Sequence, residues 1–368
     1  MRFGIVQEAY FEKGSTLQRR YFDMVEEAVH AEKWGFDFYC TSEQHFGYSE
    51  EYETSRADKH HTQKSGAVAS PESFLPYIAA RTERIRLRPT SVVLLPFNHP
   101  ARVAEWISTL DNLTNGRVDL GTARSNNLST IQAFGVNPAD TKEIWRESLD
   151  FILKAFTEDP FTYEGKWFSF PNPRTLTPKP IQKPHVPIIV GGYADAAFRR
   201  AVEFGAGWYG FNLDPERTRG MLAKLDAAFA KAGKKRGPDY QIIVTPPMTM
   251  KMDAMQDYAA LGVHRLVVNL GGQKPEQVAV RLPEIGSLAM RGKLAGDRRR
   301  QPAAGSSPQW VWACHPCARA LENRAENSCL RLASHYSDAP LQNYWSAPAA
   351  NLKNARPYRH AFENTVAP

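Results

Sequence analysis

The sequence predicts an α/β protein built as a closed (β/α)8 barrel, the TIM architecture, with insertions after the second and fourth strands and a C-terminal tail outside the barrel. Three observations carry that expectation. Short apolar, β-branched runs alternate with amphipathic helical patterns through residues 1–290, the signature of a parallel sheet joined by crossover helices. Those runs number eight, the count that closes a barrel, where fewer would favour an open sheet. A chain of 368 residues also holds one barrel of about 250 residues with length to spare.

The expected strands are Phe3–Gln7, Asp37–Thr41, Ile85–Leu95, Arg117–Gly121, Val186–Gly191, Gly207–Phe211, Gln241–Thr245 and Arg265–Leu270. Between them, Phe22, Val25 and Val29 recur at helical spacing, as do Val103, Ile107 and Leu110. Trp145, Leu149, Ile152 and Phe156 extend the same spacing over three turns. Each set lays one apolar stripe against a sheet. Further helices are expected near 72–82, 194–204, 215–232, 252–261 and 275–289. The first insertion, Gly47–Ser70, is polar, charged and bears His60-His61, which reads as solvated loop. The second, Glu158–Pro187, contains a hairpin over Phe161–Phe168 with Glu164-Gly165 as its turn, then a proline-rich connector, Pro178–Pro184. Long loops on a rigid barrel serve as lids or binding loops.

The barrel region, 1–290, is nearly neutral, with 35 Lys/Arg against 34 Asp/Glu. Residues 291–368 carry 11 against 5, so the net charge of +7 resides mostly there. The charge therefore argues against a nucleic-acid partner, which needs a basic stripe interleaved with aromatics on the folded part. The tail opens with Arg298-Arg299-Arg300, holds no sustained helical or strand period, and reads as disordered or loosely packed, even as sequence from a shifted reading frame. Its Cys314-His315-Pro316-Cys317, with Cys329 and His335, superficially resembles a metal cluster, but zinc sites need two well-spaced ligand pairs on a folded knuckle. No metal is expected. No run of about 18 apolar residues offers a membrane span. Glu8 interrupts what a signal peptide would need, and four cysteines with Cys40 in a core strand fit a reducing compartment. A cytoplasmic enzyme is the expectation.

In such barrels chemistry gathers where the strands end at their C-termini. Polar residues cluster there: Glu43-Gln44-His45-Phe46, Phe97-Asn98-His99, Arg124 with Asn126, Gly191-Gly192-Tyr193, Asn212, and Gly271-Gly272. Arg124 brings a permanent fork-shaped charge suited to phosphate. Gly191-Gly192 leads into a helix near Ala194 whose free N–H groups would face the same anion. The plainer reading has the glycines make a tight turn and Arg124 pair with an acid. His45 is the best proton-handling candidate, although it could instead be a hydrogen-bonded structural residue. Glu43 could act as a base, or could orient a backbone group or a histidine. His99 fits a helix anchor.

Several separated segments together resemble the bacterial-luciferase-like flavin-dependent oxidoreductases and monooxygenases, over roughly residues 1–290. They include Gly35-Phe36-Asp37, Glu43–Phe46, Ala79–Thr82 with Arg84–Leu87, Val92–Pro96 with His99-Pro100, Leu110–Gly121, Lys179–Pro184 with Pro187–Gly192, and Leu261–Val263. The resemblance implies reduced FMN, supplied by a separate flavin reductase. It implies reaction with dioxygen through a flavin hydroperoxide, oxygenation of a small organic substrate, and a homodimer or higher homo-oligomer. By position, Arg124 matches the arginine that grips the flavin phosphate. Ser91-Val92 falls where the family often has a non-prolyl cis peptide under the flavin ring. Gly192 and Tyr193 replace an acid and a serine near the phosphate, shifting that role to Arg124, backbone N–H groups and Asn126. Gln44 replaces the first of two histidines, so acid–base chemistry of the luciferase kind is not expected. Phe46, Phe97, Tyr193, Trp208 and Phe211 are expected walls, and Gly47–Ser70 the lid, of a dry site.

Three other readings stand beside this one: a deazaflavin-dependent dehydrogenase of the same superfamily, a non-catalytic flavin-binding protein, and a barrel hydrolase using paired carboxylates. For the last, Glu43 and Glu8 are the only candidates.

Overall fold

A computed structural model describes residues 1–12, 14–46, 63–64, 68–124, 128–248, 250, 254–270, 278 and 280–287. The expected tail from 291, most of the insertion 47–70, Asn126, Gly271-Gly272 and the cysteine–histidine cluster lie outside these residues. The chain divides into a unit Met1–Gln301, which carries the barrel, and Pro302–Pro368.

The eight expected strands form a closed barrel. They are β1 (Arg2–Gln7), β3 (Phe38–Ser42), β5 (Arg86–Val93), β6 (Leu120–Ala123), β9 (Ile188–Gly191), β10 (Gly207–Gly210), β11 (Gln241–Val244) and β12 (Arg265–Asn269). They close in the order β1-β12-β11-β10-β9-β6-β5-β3, and every pair is parallel. Helices α1 (Leu17–Lys33), α2 (Pro71–Ala79), α3 (Pro100–Leu113), α5 (Thr141–Thr157), α6 (Asp195–Phe204), α7 (Pro215–Lys231) and α8 (Met255–Ala260) occupy the crossovers. Residues 280–287 are helical as well. A short helix, α4 (Leu128–Ala133), precedes α5 and was not expected from periodicity. Its six residues are too few to show one.

The helix caps follow local chemistry. Thr16 and Asp214 accept the N–H groups of Arg19 and Arg217 at the starts of α1 and α7, as short polar side chains do at N-caps. Proline opens α2, α3 and α7, where its missing N–H costs nothing.

Two small antiparallel pairs decorate the barrel. Strand β2 (Phe11–Glu12) pairs with β4 (Gln63–Lys64), inside the first insertion. Strands β7 (Phe161–Glu164) and β8 (Ser169–Arg174) form the hairpin of the second. Its turn spans the four residues Gly165–Phe168, two more than the expected Glu164-Gly165 turn, with the Gly165 N–H bonded to the Phe168 carbonyl at 3.0 Å. The cause is the Glu147 carboxylate on α5, which accepts the N–H groups of Lys166, Trp167 and Phe168.

Alternation along each strand splits the core in two. Outward residues such as Ile5, Tyr39, Leu87, Val190, Trp208 and Leu266 pack beneath the helices. Inward residues Val6, Phe38, Cys40, Ile189, Tyr209, Ile243 and Val267 fill the barrel axis. Gly4 makes room there, since a Cβ would sit 2.8 Å from that of Phe38. Arg88 is also inward and fully buried. Its guanidinium carbon lies 4.8 Å from the Phe38 ring centre and 4.6 Å from that of Tyr209, and it makes no hydrogen bond among the described residues.

Candidate active site

The C-terminal rim gathers the expected residues of β3, β5, β6 and β9. In the β6–β9 register Thr122 lies opposite Val190. Two residues further along, Arg124 and Gly192 leave adjacent strands on the same rim. The plainer reading of Arg124 is not met, since its guanidinium makes no ion pair among the described residues and instead donates to the Thr141 hydroxyl at 2.9 Å. Gly192 has φ +121°, and a Cβ there would stand 2.9 Å from that of Ala197, so this turn requires glycine. Helix α6 follows directly. Its N-cap, Ala194, supplies no side-chain bond, which leaves first-turn N–H groups available to an anion.

Sequence reasoning missed one cation here. Arg200, on α6, lies 4.6 Å from the Trp145 ring centre and takes part in no ion pair among the described residues. Burial lowers its pKa, and the charge of Arg124 lowers it further. Glu203 offsets this in part, and two guanidinium groups in mutual range that form no ion pair among the described residues make a site suited to an anion. Read from sequence, Arg199, Arg200 and Glu203 look like the solvated face of a helix.

Two strands round the mouth from β6, Glu43 sits where β3 ends. Its carboxylate accepts from the Val93 N–H at 2.7 Å, from the Asn98 amide at 2.7 Å, and pairs with His45 Nε2 at 2.6 Å. It is buried, so all three donors are spent on holding one group. Glu43 thus ties the loop after β3 to the end of β5, the orienting role weighed from sequence. His45 stacks edge-on against Phe97 and Phe134, at 5.2 and 5.1 Å, and its carbonyl accepts from the Thr130 hydroxyl of α4. Gln44 projects an exposed side chain while its N–H bonds to the Val68 carbonyl. His99 caps α3, its Nδ1 accepting from the Ala101 N–H at 3.2 Å, and burial lowers its pKa.

Ser91 and Val92 lie in β5, where the β3 register shifts between Thr41 and Ser42. The cis peptide bonds among the described residues all precede proline, so the Ser91-Val92 bond differs from the expectation and is trans. The Val92 side chain is buried in the outer core and can offer the mouth only its backbone.

Of the expected walls, Phe46, Phe97, Tyr193 and Phe211 are at the rim, with Phe46, Tyr193 and Phe211 exposed. Trp208 is not. It is fully buried under α6, against Phe198, because Gly207, Tyr209 and Phe211 hold the inward parity of β10. Its indole N–H instead supports the site from behind, donating to the Gly192 carbonyl at 2.9 Å. The Tyr193 hydroxyl accepts the Phe211 N–H at 2.9 Å and donates to the Phe211 carbonyl, so it locks the β9 and β10 loops together. Phe46 adopts φ +61°, a left-handed conformation costly for a bulky side chain. Its ring reaches Phe134 at 5.6 Å.

Glu8 follows β1 on the inward parity of Gly4 and Val6. Its carboxyl is raised in pKa by burial, and its charge is felt by the Tyr209 phenol. Neither a hydrogen bond nor an ion pair joins it to Glu43 among the described residues, the Glu43 carboxylate being taken up by Val93, Asn98 and His45. No group of three or more histidine, cysteine or acidic side chains suited to a metal occurs among the described residues, and none of the described helices is long and apolar enough to cross a membrane.

Comparison with known proteins agrees with this geometry. The luciferase-like monooxygenase family model matches residues 1–313. A 4-hydroxyprotoasukamycin monooxygenase of Streptomyces nodosus subsp. asukaensis is 37% identical over 172 residues, covering 46% of this chain and 45% of that protein. An uncharacterised protein of Sinorhizobium fredii is 30% identical, covering 53% and 52%. The chain thus matches about half the length of these curated relatives. Among solved structures, a monooxygenase from Streptomyces bottropensis shares the fold at TM-score 0.57 and 23% identity, over 82% of both chains. The FMN-bound oxygenating component of 3,6-diketocamphane monooxygenase from Pseudomonas putida does so at 0.54 and 20%, over 67% and 66%. A deazaflavin-dependent secondary alcohol dehydrogenase reaches 0.60 at 15%, over 78% and 97%. With the barrel, the rim and the matched span in agreement, the chain belongs to the luciferase-like monooxygenase family.

Proposed function

We propose that this protein is an FMN-dependent monooxygenase that uses reduced flavin and dioxygen to oxygenate a small organic substrate at the C-terminal mouth of the barrel. One observation carries the cofactor reading: Arg124 and the Gly191-Gly192 turn leave neighbouring strands on the same rim, with Arg200 in range. The donors present fit a phosphate monoester. Arg124 and Arg200 would supply charge, the first turn of α6 would supply N–H groups, and Gly192 would let the backbone approach. Asn126 remains a candidate for the same phosphate. The Ser91-Val92 backbone and Tyr193 would border the ring system. When bound, reduced flavin supplies two electrons to dioxygen, so that one oxygen atom enters the substrate and the other leaves as water.

The protein's own contribution is orientation and dryness. Glu43 holds the Val93 N–H and fixes His45 so that Nε2 is committed to the carboxylate. Nδ1 is then the ring nitrogen that can exchange a proton with a bound group. Gln44 cannot perform the two-way proton transfer of a histidine, which sets this site apart from light-emitting chemistry. Phe46, Phe97, Phe134 and Phe211 wall the mouth with apolar surface. A separate reductase, a cytoplasmic setting and a homo-oligomer belong to the same proposal.

The test is anaerobic reconstitution with reduced FMN, followed by oxygen and candidate substrates. Substrate-dependent oxygen uptake with an oxygenated product is the expected result. Tight binding of a deazaflavin in place of FMN would overturn the cofactor, and flavin binding without any substrate-dependent uptake would overturn the enzyme.

A further inference from the structure

Trp208 is fixed by the core and yet spends its one polar atom on the rim. It is fully buried on β10, and its indole packs 5.7 Å from the Phe198 ring of α6. Gly210 leaves room for it, since a Cβ there would stand 2.7 Å from the indole edge. In the β9–β10 register Trp208 lies opposite Val190, two residues before Gly192. From that place its N–H reaches the Gly192 carbonyl at 2.9 Å. A buried indole N–H needs an acceptor, and this one finds it in the turn that leads into α6.

That hydrogen bond sets the direction of a whole peptide plane. The bond between Gly192 and Tyr193 is trans, because the cis bonds among the described residues all precede proline. In a trans peptide the C=O and N–H point opposite ways. A Gly192 carbonyl drawn toward Trp208 therefore aims the Tyr193 N–H away from it. That N–H has no acceptor among the described residues. Gly192 sits at φ +121°, where glycine has wide conformational freedom, so the peptide can turn over once the indole lets go. The Tyr193 hydroxyl, bonded to the Phe211 N–H at 2.9 Å, holds the side chain and not the peptide plane.

We propose that Trp208 is a positioning residue: by holding the Gly192 carbonyl, its indole N–H aims the Tyr193 N–H at the cofactor phosphate, and so sets part of the discrimination between phosphorylated and unphosphorylated flavins. This rests on the FMN reading and concerns the phosphate end alone. Arg124 and Arg200 bring charge to that end, whereas the turn brings a donor of fixed direction. Trp208 acts through the turn, its ring being shut in the core behind it.

The test is equilibrium titration of the full chain with FMN and with riboflavin, in wild type, Trp208→Phe and Phe198→Leu. Wild type should prefer FMN. Trp208→Phe keeps a ring in the core, loses the N–H, and should lower that preference about three- to tenfold, the contribution of one hydrogen bond. Phe198→Leu loosens the same packing, keeps the N–H, and should leave the preference unmoved. A Trp208 that serves only the core would weaken both flavins alike in Trp208→Phe, and an unchanged ratio there overturns the proposal while the FMN reading stands. An equal fall in Phe198→Leu assigns the effect to packing and overturns it too. Equal binding of the two flavins by wild type removes the FMN reading and this proposal together. Should Trp208→Phe not fold, amide exchange on wild type decides. The Tyr193 N–H should gain protection with FMN and not with riboflavin, and absence of that difference overturns the proposal.

Discussion

The two rims of the barrel spend their polar groups in opposite ways. At the N-terminal rim charge is consumed internally. Asp119 pairs with Arg86 and, at 3.4 Å, with Arg265, which also donates to Gln241. Asp111 accepts the N–H groups of Ile181 and Gln182 and the Gln182 amide, pinning the proline-rich connector. Arg117 donates to the carbonyls of Ala79, Thr82 and Ile85, and Glu32 accepts the N–H groups of Glu83, Arg84 and Ile85. At the C-terminal rim Arg124 and Arg200 form no ion pair and Glu8 forms no hydrogen bond or ion pair among the described residues, Phe46 is held in a left-handed conformation and aromatic rings lie exposed. One rim satisfies itself. The other leaves groups for a ligand to satisfy, as barrel enzymes divide stability from chemistry.

That contrast can be broken most severely at Asp119. Asp119→Ala leaves Arg265 buried without its carboxylate and should cost about 3–5 kcal/mol of stability, read as a fall in the denaturant midpoint, while FMN affinity of the folded fraction stays unchanged. Arg124→Ala should do the reverse, weakening FMN binding by about 1.5–3 kcal/mol through loss of a charge-assisted contact, with the midpoint unmoved. Glu43→Ala strands the Val93 N–H, leaves the Asn98 amide only its bond to the Val93 carbonyl, and should cost about 1–3 kcal/mol of stability. Amide exchange at Val93 should rise with it.

Linkage sharpens the comparison further. The pKa of Glu8 is raised on folding, so its stabilising contribution is complete below the unfolded value and is lost as pH rises through the folded one. Glu8→Gln should therefore gain stability relative to wild type from acidic to alkaline pH, seen by denaturation at several pH values. At the smallest end, Phe46→Gly relieves a left-handed cost of about 1–2 kcal/mol but gains chain entropy when unfolded. Stability should change by less than about 1 kcal/mol, measured calorimetrically.

The barrel was legible because its strands are β-branched runs between helices of clear period. Strand ends were less so. The expected start at Arg117 gives way to Leu120, because Arg117 is bent to the loop that joins α2 and β5. Two of the segments that carried the family resemblance, Leu110–Gly121 and Lys179–Pro184, turn out to build the N-terminal rim and announce the fold, while Glu43–Phe46 and Pro187–Gly192 lead to the site. At the site, Arg124, Glu43 and the Gly191-Gly192 turn were readable from their position after strands. The parity that buries Trp208 and turns Tyr209 inward was not, since two adjacent aromatics give no phase without the barrel register. Arg200 stayed hidden because its role depends on a neighbour from a different strand.

The most direct test is a side-by-side equilibrium titration of wild-type protein with FMN and with riboflavin, which differ by the phosphate alone. A cradle at the β6–β9 rim requires FMN to bind at least about tenfold more tightly, the worth of one charge-assisted contact. Equal affinity for the two flavins would contradict it.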